Sequence, residues 1–320
     1  MDKVVYSIVV PVYNEELVIK ESYIRLSNVM SKTKESYEII FVNDGSRDKS
    51  KEQLQRICEI DKKVKLIDFS RNFGHQAAIT AGMELSSGEA VVVIDADLQD
   101  PPEVILQMIE KWKEGYYVVY GKRTKREGET FFKKFTSKMY YRLLRSMSDI
   151  DIPVDTGDFR LIDRKVCNQL MALPEKNRYV RGLISWIGYE QTYVEFVREE
   201  RFAGETKYSM KKMIKLAMDG ITSFSYKPFK VMGYSGCIMT MIGFVLLLSQ
   251  TIRNIVNGIS IFSMNVGISF NFLMFAMIIL SFGIFGEYIG RITDEVKNRP
   301  TYIIEDVVNF NGEMKRNEEN

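Results

Sequence analysis

Between Val231 and Gly286 the chain carries a single charged residue, Arg253, and a globular core rarely holds so long an apolar stretch. At a helical rise of 1.5 Å per residue, about 20 apolar residues cross the hydrocarbon of a bilayer. Residues 231–252 and 267–286 both reach that length, which predicts two spanning helices at about 231–252 and 267–288. The mean hydropathy of −0.13 hides the shift, because the rest of the chain is polar. Lys211, Lys212, Lys215, Lys227 and Lys230 precede the first span, and Arg291, Lys297 and Arg299 follow the second. The excess of basic residues outside the hairpin places both chain ends in the cytoplasm, with a short loop outside. The expected organisation is a cytoplasmic domain over 1–208, an interfacial juxtamembrane helix over 209–230, the hairpin over 231–290 and a cytoplasmic tail over 291–320.

The first 125 or so residues have a different period. Short apolar runs at 4–12, 38–43, 64–70, 90–95 and 116–121 alternate with amphipathic stretches at 16–31, 49–60, 76–85 and 102–113. Such alternation predicts an α/β domain with a mostly parallel sheet covered on both faces. Ligands of such sheets bind beyond the carboxyl ends of the strands. The run at 4–12 is too short for a signal peptide and leads directly into Asn14-Glu15-Glu16. Residues 126–150 mix aromatic and basic side chains, and read either as a membrane-surface helix or as a helix packed on the domain. Residues 210–224 have the same character, and 311–320 are polar enough to be disordered.

Composition excludes several classes. The chain has 320 residues, with 44 basic against 42 acidic, which lacks the basic field of a nucleic-acid binder. Cys58, Cys167 and Cys237 are scattered and read as reduced thiols. His75 is the one histidine, leaving no material for a multi-histidine metal centre.

Polar residues gather where the predicted strands stop. Asp95-Ala96-Asp97-Leu98-Gln99-Asp100-Pro101-Pro102 follows the apolar run that begins at Ala90. Carboxylates there are costly unless a cation or ligand compensates them. In extended geometry Asp95 and Asp97 face one way and can converge on one hard divalent ion that would neutralise a diphosphate. Asp100-Pro101-Pro102 reads as a cap and proline start for the next helix. Val42-Asn43-Asp44-Gly45-Ser46 reads as a strand–helix turn, or as a place where Asp44 meets a base edge. Pro11-Val12-Tyr13-Asn14-Glu15 ends the first strand.

Together these motifs resemble the inverting A-type (family 2) nucleotide-sugar glycosyltransferases. Within them, the chain is similar to the polyprenyl-phosphate branch, which includes dolichyl-phosphate mannose synthase and bactoprenol glucosyltransferases. Ser70-Arg71-Asn72-Phe73-Gly74-His75-Gln76, Asp155-Thr156-Gly157-Asp158-Phe159-Arg160-Leu161 and the segment from Arg198 through Arg201 and Gly204 to Lys207 and Tyr208 match that branch, although His75 stands where many members carry lysine.

The resemblance covers about 4–299 and implies a Rossmann-like A-type fold followed by interfacial helices and a transmembrane hairpin. It implies that Pro11, Tyr13, Glu15 and Asp44 hold the nucleotide, that Asp95 and Asp97 bind the metal, and that Gln99 lies near the donor sugar. Arg123, Arg201 and Lys207 would grip phosphates of donor or acceptor. Asp158, with Asp155 the alternative, would be the catalytic aspartate. The donor it implies is UDP-glucose and the acceptor undecaprenyl phosphate, for cell-envelope glycan modification.

Rival readings lack their signatures. A processive polysaccharide synthase would show Q-x-x-R-W and more spans. A nicotinamide oxidoreductase would show G-x-G-x-x-G after its first strand. A non-catalytic nucleotide-sugar binding protein would have no need of Asp95 and Asp97. Gly233, Gly236, Gly283 and Gly286 would suit close helix packing, in a homo-oligomer or within the hairpin itself.

Overall fold

The computed structural model describes residues 3–124, 156–199 and 264–310, with part of 234–256. Its strands are β1 (Tyr6–Val12), β2 (Tyr37–Asn43), β3 (Val64–Phe69), β4 (Ala90–Val93), β5 (Val118–Arg123), β6 (Thr156–Asp163), β7 (Gln191–Phe196) and β8 (Ile304–Val308). Its helices are α1 (Ile19–Ser31), α2 (Ser50–Ile60), α3 (His75–Glu84), α4 (Val104–Lys113), α5 (Arg164–Ala172), α6 (Val180–Ile187) and α7 (Met264–Lys297). The strands form one eight-stranded sheet in the order β7-β5-β6-β4-β1-β2-β3-β8. β1 pairs in parallel with β2 and β4, β2 with β3, and β5 with β7. β6 runs antiparallel between β4 and β5, and β8 runs antiparallel along the β3 edge.

Valine and isoleucine dominate the central strands because branched side chains suit a pleated, covered surface. Alternate residues feed two cores. Ile8, Val10, Ile39, Phe41 and Val92 pack with α1, α2 and α4, whereas Val9, Ile40, Val42, Val91 and Val93 pack with α3, α5 and α6. Each fully buried aliphatic side chain of this kind contributes roughly 1.5–3 kcal/mol.

The polar exceptions inside the sheet are paired. Buried Glu38 accepts hydrogen bonds from Ser7 Oγ at 2.5 Å, Ser87 N at 2.7 Å and Ser87 Oγ at 2.9 Å. Lys65 Nζ lies 2.5 Å from its other oxygen. One carboxylate therefore ties β1, β2 and β3 to the turn that enters β4.

Two boundaries differ from those read in the sequence. β4 stops at Val93, so Asp95 and Asp97 occupy a turn and their placement does not come from an extended strand. The N-cap of α4 is Glu103, which makes no side-chain cap bond, and Asp100 is therefore not a cap. β8 adds a strand from the stretch expected to be a tail.

Cys58 and Cys167 are buried free thiols, as a reduced reading requires. The segments 126–150, 209–230 and 311–320, with Arg201, Lys207 and Cys237, lie outside the described residues. Among the described residues no helix is long and apolar enough to cross a membrane, so the hairpin remains an expectation.

Although burial alone would raise the Glu38 carboxyl, Lys65 and the serine donors hold it below its ordinary range. A depressed carboxylate stabilises the fold above its unfolded pKa, and the contribution disappears as pH falls through its folded value. Glu38→Gln is expected to cost about 3 kcal/mol at pH 7, because Lys65 is left without its buried partner. Thermal melts of the full chain should show a lowered Tm at pH 7, with the deficit shrinking below about pH 4.

Candidate active site

β1, β2, β3, β4, β5 and β7 run in one direction, so their carboxyl ends share one rim. Antiparallel β6 brings its opening residues, Thr156 to Asp158, to the same rim. A site at this rim is what an open α/β sheet offers a ligand.

The first wall is a pair of stitched loops after β1 and β2. Asn14, at a left-handed φ of 52°, donates its N–H to Ser46 Oγ at 2.9 Å and accepts from Arg47 N at 2.8 Å. Glu15 N donates to Ser50 Oγ at 3.0 Å. Gly45 has φ 63°, and a Cβ there would run into the backbone of Arg71 and Asn72, so the β3–α3 loop packs directly on this turn. Asp44 secures it by accepting from Phe73 N at 2.7 Å, Gly74 N at 3.0 Å and Asn72 Nδ2 at 2.9 Å. The Asp44 carboxylate is thus committed to the loop that delivers His75, and burial pushes its pKa up.

At the floor, Asp158 lies where β6 enters the sheet and is almost fully buried. His75 Nε2 lies 3.2 Å from Asp158 Oδ2 and 3.5 Å from Asp95 Oδ1. Gln76 Nε2 donates to Asp158 Oδ2 at 3.4 Å. Arg181, from α6, brings Nε to 3.2 Å and Nη2 to 3.1 Å of Asp158 Oδ1. Arg160 does not bond Asp158. It donates to Gly157 O at 2.8 Å, its Nε has no hydrogen-bond partner, and burial pushes its pKa down to about 10.

These contacts separate the two carboxylates electrostatically. Burial raises Asp95 to about 6, with Asp97, Asp100 and Asp158 adding to the rise. Burial acts the same way on Asp158, but Arg181 and His75 overcome it and hold that carboxyl well below its usual range. Burial would lower His75, yet Asp158 and Asp95 push it up to about 9, so it is a cation at neutral pH.

Beside the floor is a second ionic cluster. Asp100, 1% exposed, accepts from Arg123 Nη2 at 3.0 and 3.2 Å, and Arg198 Nε lies 3.5 Å away. Gly157 makes room for it, since a Cβ there would crowd Arg123 Nη2. Two guanidinium groups share one carboxylate, leaving net positive charge. Asp97 Oδ1 accepts from Gln99 N at 3.1 Å across a turn in which Leu98 takes φ 59°. Glu199 N donates to Gln99 O at 2.9 Å, joining this turn to the segment that carries Arg198.

Of the residues singled out in the sequence, Asp95 and Asp158 meet through His75, with Asp97 on the turn that follows Asp95. Arg123 joins Asp100 instead. Tyr13, Glu15 and Asp44 line the same rim, while Pro11 is buried within β1. Arg181 was missed, although a lone cation in the otherwise apolar helix Val180–Ile187 was a signal. Arg198 was missed as a site residue because attention fell on Arg201. Among the described residues no group of three or more His, Cys, Asp or Glu side chains is set to hold a metal ion. Asp95 and Asp97 still offer two hard oxygen donors, and the raised pKa of Asp95 reflects burial among neighbouring carboxylates, an environment that suits a divalent cation.

The sheet and its polar rim define an α/β protein with a candidate site at the carboxyl ends of its strands. The family description "Glycosyl transferase family 2" matches residues 7–171. "Uncharacterized glycosyltransferase YkcC" of Bacillus subtilis is 61% identical over 94% of this chain and 93% of its own. "SfII prophage-derived bactoprenol glucosyl transferase" of Shigella flexneri is 40% identical over 93% of this chain and 96% of its own. Among solved structures, glucosyl-3-phosphoglycerate synthase from Mycobacterium tuberculosis is 20% identical, covering 68% of this chain and 77% of that one, with a TM-score of 0.48, too distant to carry an argument. The chain belongs to glycosyl transferase family 2 and is a glycosyltransferase.

Arg181→Met removes one of the two cations in contact with Asp158. The pKa of Asp158 should rise, so the acid limb of sugar transfer should move to higher pH than in the wild type. A pH–rate profile of the purified full chain tests this, and a profile identical to wild type would contradict it.

Proposed function

We propose that this enzyme transfers a hexose from a nucleotide-sugar, UDP-glucose in the first instance, to undecaprenyl phosphate with inversion at the anomeric carbon. The observation that carries this reading is the convergence of His75, Asp95, Asp158 and Arg181 at the carboxyl rim of the sheet. The names of relatives aligned over nearly the whole chain, bactoprenol glucosyl transferases among them, support the sugar and the lipid acceptor.

The nucleotide lies along the first wall, beside Tyr13, Glu15 and the Asp44 turn. Asp95 and Asp97 would hold Mg2+ or Mn2+, which would supply charge neutralisation to a diphosphate leaving group. Arg123 and Arg198, with Arg201 and Lys207, attract donor and acceptor phosphates. A phosphate monoester has its second pKa near about 6, so the acceptor arrives largely as a dianion. It needs positioning more than deprotonation. Asp158, held ionised by Arg181 and His75, is a weak base and orients these cations towards the acceptor. The phosphate oxygen then attacks the anomeric carbon in line, and the bond to the diphosphate breaks as the new bond forms.

The acceptor is a lipid, and the apolar stretches support a membrane seat. On α7 the side chains of Phe275, Ile279, Phe282 and Phe285 are exposed, as are Tyr234, Phe244 and Val245 further upstream. A hairpin of about 231–252 and 267–288, with the catalytic domain and both termini cytoplasmic, would place the rim beside the headgroups, where it meets cytosolic nucleotides.

Radiolabelled UDP-sugars and GDP-sugars offered with undecaprenyl phosphate test the reaction. A chloroform-soluble product should form from UDP-glucose, and EDTA or Asp97→Asn should cut its rate at least about a hundredfold. Absence of any lipid-soluble product from every donor, with folded protein that still binds nucleotide, would remove the lipid acceptor. A product that retained the donor's anomeric configuration would remove the single displacement.

A further inference from the structure

We propose that Glu295 and Tyr302, at and just beyond the end of α7, are positioning residues that couple the C-terminal helix to Asp158 through two separate loops. Neither residue is near the rim in sequence, and neither touches the reacting groups. The inference rests on the reading that the Asp158 cluster is the reaction centre.

The first connection runs to Arg181. Glu295 Oε1 accepts from the backbone N–H of Lys176 at 2.9 Å and of Asn177 at 3.4 Å. This fixes the loop that leads into α6. The first residue of that helix, Val180, donates its N–H to Gln76 Oε1 at 3.0 Å, and the second is Arg181. A shift of the loop therefore moves the guanidinium that holds Asp158.

The second connection runs to His75. The Tyr302 ring stacks on Phe69, with centroids 5.1 Å apart and an interplanar angle of 12°. Phe69 in turn meets Phe73 edge to face at 5.7 Å. Ser70 N donates to Ile303 O at 3.1 Å, so backbone and ring together fix the start of the β3–α3 loop. Tyr302 Oη donates to Glu84 Oε2 at 2.6 Å, at the far end of the helix whose first residue is His75. α3 is thereby held at one end by Tyr302 and at the other by the loop that Asp44 secures.

Both connections start within a few residues on one segment and end on opposite oxygens of one carboxylate. Arg181 approaches Oδ1 and His75 approaches Oδ2. A pure stability role would need no such convergence. Misplacement of about 1 Å at a reacting centre can cost about a hundredfold in rate.

His75 is the one histidine of the chain, so its ring gives a single resonance in a histidine-labelled sample and reports the cluster without any assay of activity. Full-length Glu295→Ala and Tyr302→Ala, in detergent, are expected to shift that resonance and to lower kcat by about tenfold or more. In Glu295→Ala the donor KM should stay within about twofold, because the loop that Glu295 holds leads to α6 and not to the Asp44 turn. Glu295→Gln keeps the acceptor oxygen and Tyr302→Phe keeps the stacked ring, so both should restore the resonance and most of kcat. Glu295 is exposed, and its variant provides the test should Tyr302→Ala fail to fold. An unchanged His75 resonance in the alanine variants would overturn the coupling. So would full kcat in those variants when Asp158→Asn abolishes transfer. Full transfer by Asp158→Asn itself would instead sink the reaction-centre reading, a separate failure.

Discussion

In a parallel sheet covered on both faces, a charged side chain is tolerated only where a strand stops or where a partner waits within the sheet. β1 shows the rule in its simplest form, with every residue from Tyr6 to Val12 buried. The charges inside the strands obey the second clause. Glu38 has Lys65 and three donors, while Asp68 has Asn43 Nδ2 at 2.6 Å and an ion pair with Lys51. The remaining charge is driven to the strand ends. Because six strands share a direction and β6 enters the sheet from the same side, those ends form one rim. The site follows from the apolarity of the strands as much as from its own residues.

That crowding has an electrostatic consequence. Four carboxylates, Asp95, Asp97, Asp100 and Asp158, lie within a short reach of one another. Their mutual repulsion would be severe without compensation, and the compensation is unequal. Asp100 has Arg123 and Arg198, and Asp158 has Arg181 and His75, whereas Asp95 shares His75 and feels Arg123 and Arg198 only at longer range. The carboxyl raised to about 6 is the one with the least cationic company. Unequal pairing thus marks out Asp95 as the place where an external cation would gain most. The same logic distinguishes acidic residues that build the site from those that await a ligand.

Much of this was legible before any coordinates. The apolar runs located β1 to β5, the amphipathic stretches located α1 to α4, strand ends pointed to Asp44, Asp95 and Asp97, and the family resemblance pointed to Asp158. What failed depended on contacts distant in sequence. Asp100 looked like a helix cap because Pro101 and Pro102 follow it, yet its partners are Arg123 and Arg198. β8 has five residues and borrows its stability from the β3 edge, from Tyr302 stacked on Phe69 and from Asn309 bonded to the carbonyls of Cys58 and Val64. No local pattern announces such a strand. Arg181 was written in the chain as a cation on an apolar helix, but only the fold supplies the carboxylate it faces.

The pairing of Asp158 bears directly on how sugar transfer divides its labour. A general base works best with a pKa near the operating pH. Asp158 is pushed the other way, by two cations on opposite oxygens, and a group so stabilised gives up little by staying ionised. Such an arrangement suits a nucleophile that already carries its charge. A hydroxyl acceptor would need its proton removed as it attacks, whereas a phosphate monoester near neutral pH has largely lost both. Its difficulty is repulsion, since a dianion must approach a donor that is itself a diphosphate ester. Fixed cations around a permanently ionised carboxylate relieve that repulsion without moving a proton. The low pKa of Asp158 and the proposed chemistry of the acceptor thus express one electrostatic requirement.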